Sequence, residues 1–252
     1  MDKNAKAVDE SSFQTKVKMC QVIVLFSGYS TKLDETLKAN CSCTLIKASR
    51  NIIVDTMTAW DRQRIIDALA EHDITADQID YVVCTHSHAD HIGNNNLFLN
   101  AEHIIGTCVH RGDEFFERNF ENGKLCSVLL LSTFNQNMIN FNRISTEGYR
   151  ICPGVRVVAT PGHTSDDVTV LVDTTISSKS ICFAITGDLF EKEDDILDPS
   201  IWKEFGTAEL QATQSRMRSD IMHLANFIVP GHGPMFAVTE DLRKIIKSQI
   251  IV

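Results

Sequence analysis

Four groups able to bind a metal ion fall within one short stretch, Thr85-His86-Ser87-His88-Ala89-Asp90-His91-Ile92-Gly93. Two imidazoles one residue apart, His86 and His88, can turn toward a single ion. The Asp90-His91 pair that follows can reach a second ion a few ångströms away. Neutral imidazole and carboxylate are ligand types that suit zinc. A lone His-x-His is more often a surface accident than a site, but three histidines and an aspartate in this order are far rarer. A pair of ions demands further ligands from distant parts of the chain, each placed after a strand. The chain supplies them in Pro161-Gly162-His163, Thr186-Gly187-Asp188 and Pro230-Gly231-His232. Apolar runs over residues 155–159, 181–185 and 227–229 precede them. This repeated order of strand, turn and ligand points to a metal site. No Ser, Cys or Lys nucleophile with its own base stands out, so metal-activated water suffices for catalysis.

The elements that must position these residues can be read from pattern. Residues 81–84 are an apolar run and predict a buried strand ending near Thr85. His86 and His88 then lie on the loop beyond its C-terminal end, and Asp90 and His91 open a helix. Upstream, residues 19–27 predict the first core strand, 32–40 a polar surface loop, and 43–47 with 51–55 a hairpin. Residues 60–71 have helical spacing, with Ile65, Ile66 and Leu69 on one face. His72 at their end reads as a partner of the helix dipole. A helical turn follows at 75–78, a short helix runs toward Phe98, and 103–108 read as one strand. His103 falls outside the ligand pattern and reads as structural; His110 is a lesser candidate for lining the pocket. Phe115, Phe116 and Phe120 alternate with charge and predict a helix. Strands follow at 155–160, 168–173 and 180–186, with helices at 208–224 and 239–248. The basic groups on those helices, Arg216 with Arg218 and Arg243 with Lys244 and Lys247, read as solvated faces.

At 252 residues and 43% hydrophobic content, one large domain over residues 18–252 is expected, after a flexible tail at 1–17. Residues 112–148 are the exception. From 125 to 142 they show no clear period and read as a substrate-facing flap or an insertion. No run reaches membrane-spanning length, and the polar first residues lack the apolar core of a secretory signal. The reading is a cytosolic or nuclear protein. Eight cysteines in such a chain are expected as free thiols, and Cys41-x-Cys43, with no partner pair, as structural. The net charge of −9 argues against general nucleic-acid binding. It does not exclude a nuclease, because two zinc ions would add positive charge where a phosphate sits.

The motif His-x-His-x-Asp-His and the later His, Asp and His, in this order, resemble the metallo-β-lactamase superfamily over roughly residues 20–238. The resemblance implies an α/β fold, an αββα sandwich with a binuclear metal site at one edge between two β-sheets. It implies His86, His88 and His163 on one zinc ion, Asp90, His91 and His232 on the other, and Asp188 between them. It makes Asp90 the catalytic group that orients water and handles its proton. It also gives Asp55 a supporting role behind the metal loop, since a carboxylate can fix the orientation of ligating histidines. The stretches 22–29, 187–191 and 229–234 are similar to one branch of the superfamily, described as endoribonucleases acting on histone pre-mRNA 3′ ends. RNA is then the implied partner, with no membrane and with a homodimer allowed.

Other branches imply other chemistry. Glyoxalase II-like hydrolases of thioesters carry a helical domain after the last histidine, where only twenty residues follow His232 here. Persulfide dioxygenases share the motif but bind one iron through His, His and Asp. A small ester or thioester hydrolase and an iron oxidoreductase therefore stay open beside the RNA hydrolase. A binding module is poorly supported, because no ligand has been lost. All seven ligands lie outside residues 125–142, and insertions in loops are tolerated far better than core changes. Deleting part of that stretch should leave metal stoichiometry and melting temperature unchanged; loss of both would place the segment in the core.

Overall fold

A computed structural model describes residues 19–116, 119–121, 124–125 and 147–251. The expected tail at 1–17 and nearly all of the stretch at 125–142 lie outside the described residues.

Seven strands form one sheet in the order β1-β4-β5-β6-β7-β8-β9. They are β1 (Gln21–Phe26), β4 (Cys43–Lys47), β5 (Asn51–Val54), β6 (Tyr81–Cys84), β7 (Glu102–Ile105), β8 (Cys108–Arg111) and β9 (Glu114–Phe116). A second sheet runs β12-β13-β14-β15-β16-β17. Its strands are β12 (Tyr149–Cys152), β13 (Val155–Ala159), β14 (Val168–Ile176), β15 (Lys179–Gly187), β16 (Phe227–Pro230) and β17 (Phe236–Ala237). Two small ribbons, β2 (Tyr29–Leu33) with β3 (Thr36–Asn40) and β10 (Asn119–Glu121) with β11 (Lys124–Leu125), complete the strands among the described residues.

Strand periodicity explains why the sheets stack. Successive side chains of a strand point to opposite faces. In β5, Ile52 and Val54 join Val83, Val157, Val170, Ile185 and Val229 in the core between the sheets. Ile53 points the other way, to Leu45, Val82 and the helix α1 (Arg62–Ala70), whose Ile65 and Leu69 meet it one turn apart. The second sheet does the same, with Leu171, Ala184 and Ile228 packed on Met217 and Ile221 of α5 (Gln211–Leu224) and Ile246 of α6 (Glu240–Ser248). Three apolar layers between four layers of backbone make the αββα sandwich that the resemblance implies. Strands buried on both faces read as continuous apolar runs, which is why β6 is Tyr-Val-Val-Cys. The shorter helices are α2 (Ala89–Ile92), α3 (Asp194–Leu197) and α4 (Ser200–Phe205). None of the described helices is long and apolar enough to cross a membrane.

Four sequence expectations need correction. Residues 32–40, expected as a loop, belong to the β2–β3 hairpin, which turns at Asp34 and is mostly exposed on both faces. Its pairing is carried by backbone hydrogen bonds, so no hydrophobic alternation signals it. The single strand expected at 103–108 breaks at Gly106, whose positive φ lets Ile105 pair with Cys108 across a two-residue turn. Phe115, Phe116 and Phe120 lie on strands β9 and β10 and not on a helix.

The fourth correction bears on the site. Arg218 is no solvated charge but is fully buried. Its Nη2 and Nη1 donate to Asp195 at 2.5 and 3.0 Å, and Nη1 also donates to the Leu189 carbonyl at 2.8 Å. The guanidinium lies over the Phe190 ring at 4.2 Å. Asp195 in turn accepts the Glu191 backbone N–H at 2.7 Å. Arg243 is likewise folded back, capping the end of α5 through the Ala225 carbonyl at 3.0 Å. One buried ion pair thus pins the loop 188–195. Removing one member leaves an unpaired buried charge, so Asp195→Ala should lower unfolding free energy by about 3–5 kcal/mol. Chemical denaturation measures it; a loss within error would show that the pair does not anchor the loop.

Candidate metal centre

The parallel strands carry the site at their C-terminal ends. β5, β6 and β7 run parallel in one sheet, as do β15 and β16 in the other. The chain leaving β6 carries His86, His88, Asp90 and His91, with the last two on α2. His163 follows β13, Asp188 ends the turn after β15, and His232 follows β16. All seven predicted residues come together, with His88, Asp90, His163, Asp188 and His232 lining a cavity and His86 and His91 buried behind them. His86, His91, His163, Asp188 and His232 are buried, Asp90 is half-buried and His88 is exposed.

Their nitrogens and oxygens point at one another. Nε2 of His86 and Nε2 of His163 lie 2.9 and 3.1 Å from Nδ1 of His88. The same two Nε2 atoms lie 3.6 and 3.4 Å from Oδ2 of Asp188. On the other side, His91 Nε2 is 3.3 Å from Asp188 Oδ1, and His232 Nε2 is 3.3 Å from Asp188 Oδ2 and 3.8 Å from Asp90 Oδ2. One donor set is His86, His88, His163 and Asp188; another is Asp90, His91 and His232. His91 Nε2 and Asp188 Oδ1 are both buried and face each other without the alignment of a hydrogen bond. So many lone pairs on one point suit a cation, and the residue types present fit one or two divalent ions.

Two glycines explain the turns before Asp188 and His232. At Gly231 a Cβ would fall 1.9 Å from Asp188 Oδ1. At Gly187, which has a positive φ, it would fall 2.2 Å from Thr85 Oγ1. Backbone must pass that close for the ligands to converge.

Behind the ligands stands Asp55, itself in a left-handed conformation. Its Oδ1 accepts the Thr85 N–H at 2.8 Å, and Oδ2 accepts from Thr85 Oγ1 at 3.0 Å and from His91 Nδ1 at 3.0 Å. The carboxylate therefore grips both the start of the metal loop and one of its rings. Residues that sequence reasoning missed are Asn40, whose carbonyl accepts from His232 Nδ1 at 3.1 Å, and Glu191, a buried carboxylate on the cavity wall. Ser30, Leu37 and Ala39 of the β2–β3 hairpin also line the cavity. Glu191 sits three residues after Asp188, and only that spacing could have flagged it. Cys41 is buried beside Asp55 and His91, and Cys43 is also buried; the seven described cysteines are free thiols. His103 and His110 stack on each other at 5.2 Å, and His110 also on Phe115, apart from the site.

Charge in this pocket is redistributed. Burial opposes ionisation of Asp188, yet His232, His91 and His86 hold its carboxyl well below the usual range. Burial would lower His91, but the Asp188 and Asp55 carboxylates raise it well above an ordinary histidine. His232 is pushed up to about 9, with Asp188 outweighing burial. His86 and His163 are lowered, chiefly by burial.

A metal-dependent hydrolase is the class that this fold and donor set define. Residues 38–247 match the family model described as the metallo-beta-lactamase superfamily, and the chain belongs to that superfamily. It is similar to metallo-beta-lactamase domain-containing protein 1 of Xenopus laevis, 32% identical over 86% of this chain and 81% of that one. The human protein of the same name is 31% identical over 75% of this chain, which spans 60% of the human length. An N-acyl homoserine lactonase of Bacillus cereus is 25% identical over 71% of this chain and 65% of the lactonase. Among solved structures, a putative metallo-beta-lactamase from Thermotoga maritima superposes with a TM-score of 0.54 at 18% identity, over 87% of this chain and 99% of that one. That last likeness speaks to the fold.

Ligation needs neutral imidazoles, so protons on His91 and His232 must leave when metal enters. Near neutral pH, uptake should release roughly two protons per chain. Affinity should climb as pH rises toward about 9, where His232 gives up its proton unaided. Calorimetric titration in buffers of differing ionisation enthalpy counts the protons; no release would mean that both rings are already neutral.

Proposed function

We propose that this chain is a zinc-dependent hydrolase with two zinc ions, and that it cleaves RNA phosphodiesters, as in histone pre-mRNA 3′-end processing. The observation that carries the hydrolytic part is the clustering of five imidazoles and the Asp90 and Asp188 carboxylates at the floor of one cavity, which His88, Asp90, His163, Asp188 and His232 line. In this reading His86, His88 and His163 would hold one ion and Asp90, His91 and His232 the other, with Asp188 available to both. Zinc bound there would bring the pKa of water toward neutrality and would polarise a phosphoryl or carbonyl oxygen.

The chain's own groups do the rest. Asp55 locks Thr85 and His91, so the metal loop is set before substrate arrives. Asp90 lies on the cavity wall; with Oδ2 turned toward His232 and the second donor set, its other carboxylate oxygen can orient the attacking water and take its proton. The same oxygen can return that proton to the leaving group. Support for RNA as substrate is the level of identity with the proteins named metallo-beta-lactamase domain-containing protein 1 and the endoribonuclease activity that the sequence resemblance implies.

A second reading is a hydrolase of a small ester or thioester. The similarity to an N-acyl homoserine lactonase favours it, as does a cavity of about 170 Å³ walled partly by Leu37, Ala39 and Phe205. A single-iron oxidoreductase is less well supported, because Asp90, His91 and His232 complete a second donor set.

Elemental analysis of protein purified without added metal should give about two zinc ions per chain. Cleavage of a single-stranded RNA carrying a histone pre-mRNA 3′ end should then vanish with chelator. It should fall on the order of a hundredfold or more in His163→Ala and in Asp90→Asn. Thioester or lactone turnover without RNA cleavage would transfer the assignment to the second reading. RNA cleavage that persists in both variants would point to a contaminating nuclease and leave the proposal without support.

A further inference from the structure

Each buried histidine of the centre turns one ring nitrogen inward and one outward. The outward nitrogen of His86, Nδ1, meets Thr85 Oγ1 at 3.2 Å. That of His91 meets Asp55 Oδ2 at 3.0 Å, and that of His232 meets the Asn40 carbonyl at 3.1 Å. The Thr85 hydroxyl spends its proton on Asp55, so its oxygen is free to accept from His86. His163 is the exception. Its Nδ1 is buried and has no hydrogen-bond partner among the described residues. A second buried atom without a partner among the described residues, Oε1 of Glu191, lies 3.9 Å away.

Two orphaned buried groups of opposite hydrogen-bonding character, facing each other, call for an explanation. We infer that Glu191 is the positioning residue of His163: its carboxylate accepts the His163 Nδ1–H and so fixes Nε2 as the lone-pair nitrogen aimed at the centre. A ligating imidazole whose other N–H donates to a carboxylate is held in one tautomer and one orientation, and becomes a better ligand. Rotation of the Glu191 side chain closes the remaining gap, while its backbone stays fixed. The Glu191 N–H donates to Asp195 at 2.7 Å, and the Glu191 carbonyl accepts the His232 N–H at 2.7 Å. His163 is equally anchored, since its carbonyl accepts from Thr207 Oγ1 at 2.8 Å. The two halves of the centre then share one design, with Asp55 behind His91 and Glu191 behind His163. Neither carboxylate needs to touch substrate.

This inference rests on His163 being a metal ligand, and not on RNA being the substrate. The rival role for Glu191 is direct ligation, because it also stands near Asp188 and His232. Zinc affinity by competition with a chromogenic chelator separates the two. Glu191→Leu, which cannot accept a hydrogen bond, should bind zinc 10–100-fold more weakly than the parent. Glu191→Gln keeps an accepting oxygen and should stay within a few-fold of the parent. A Leu variant with parental affinity would overturn the inference. So would a Gln variant as weak as the Leu variant, which is the pattern of a lost ligand. If Glu191→Leu does not fold, ¹⁵N NMR of the zinc-loaded parent decides. A slowly exchanging Nδ1–H on His163 supports the pair, and a freely exchanging one removes it. A parent that takes up no metal, by contrast, would remove the metal reading itself, and this inference with it.

Discussion

A carboxylate buried among imidazoles governs the site end of this molecule. Asp188 is 4% exposed, and an unmatched ionised carboxylate in a protein interior is too costly to persist. It must meet positive charge, from protons on His91 and His232 or from metal. Much of the local structure serves that encounter. Gly187 and Gly231 remove side chains that would collide with Thr85 and with Asp188 itself. The parallel pairing of β15 with β16 brings the Asp188 and His232 turns side by side. Beyond Asp188 the chain is pinned by the buried Arg218–Asp195 pair, so the carboxylate cannot swing away to water.

The sandwich explains why ligands so far apart in sequence can meet. Strands that run parallel end at the same edge, and functional loops gather at that carboxyl edge. Here each sheet contributes such an edge, and the two edges face each other across the interior core. The ligands after β6 come from one sheet, and those after β13, β15 and β16 from the other. Asp55, at the end of β5, ties its own sheet's loop, while the Thr85 carbonyl accepts the Val168 N–H of the opposite sheet at 2.8 Å. The strand-end spacing of the metal loop is therefore set by both sheets at once.

How much of this was legible in the sequence depends on what kind of interaction carries each element. The strands that flank the core announced themselves, since Val82, Val157 and Ile228 are buried whatever the fold's details. The seven donors were legible because each sits in a short, chemically unusual string after such a strand. The β2–β3 hairpin was not, because exposed backbone pairing imposes no hydrophobic period. Arg218 was misread because a buried arginine differs from a surface one only by its partner, and Asp195 lies 23 residues away on another helix. Glu191 escaped for the same reason. Its meaning comes from an unpartnered nitrogen on His163, which no local pattern contains.

The cavity's chemistry also constrains what can enter. Its wall carries Asp90, Asp188 and Glu191 together with Leu37 and Phe205, and neither lysine nor arginine is among its described lining residues. The chain as a whole is acidic. Among the described residues an anionic substrate therefore meets no lysine or arginine there, and local positive charge comes from protonated His91 and His232 or from bound ions. Proteins that grip nucleic acid through many lysines and arginines lose affinity steeply with salt, since each phosphate contact releases counterions. A phosphodiester held here chiefly by metal would show a shallow salt dependence and a strict metal dependence. A neutral ester would need the ions for chemistry but not for entry. The acidic wall thus separates the two substrate classes by how binding, and not turnover alone, responds to metal removal.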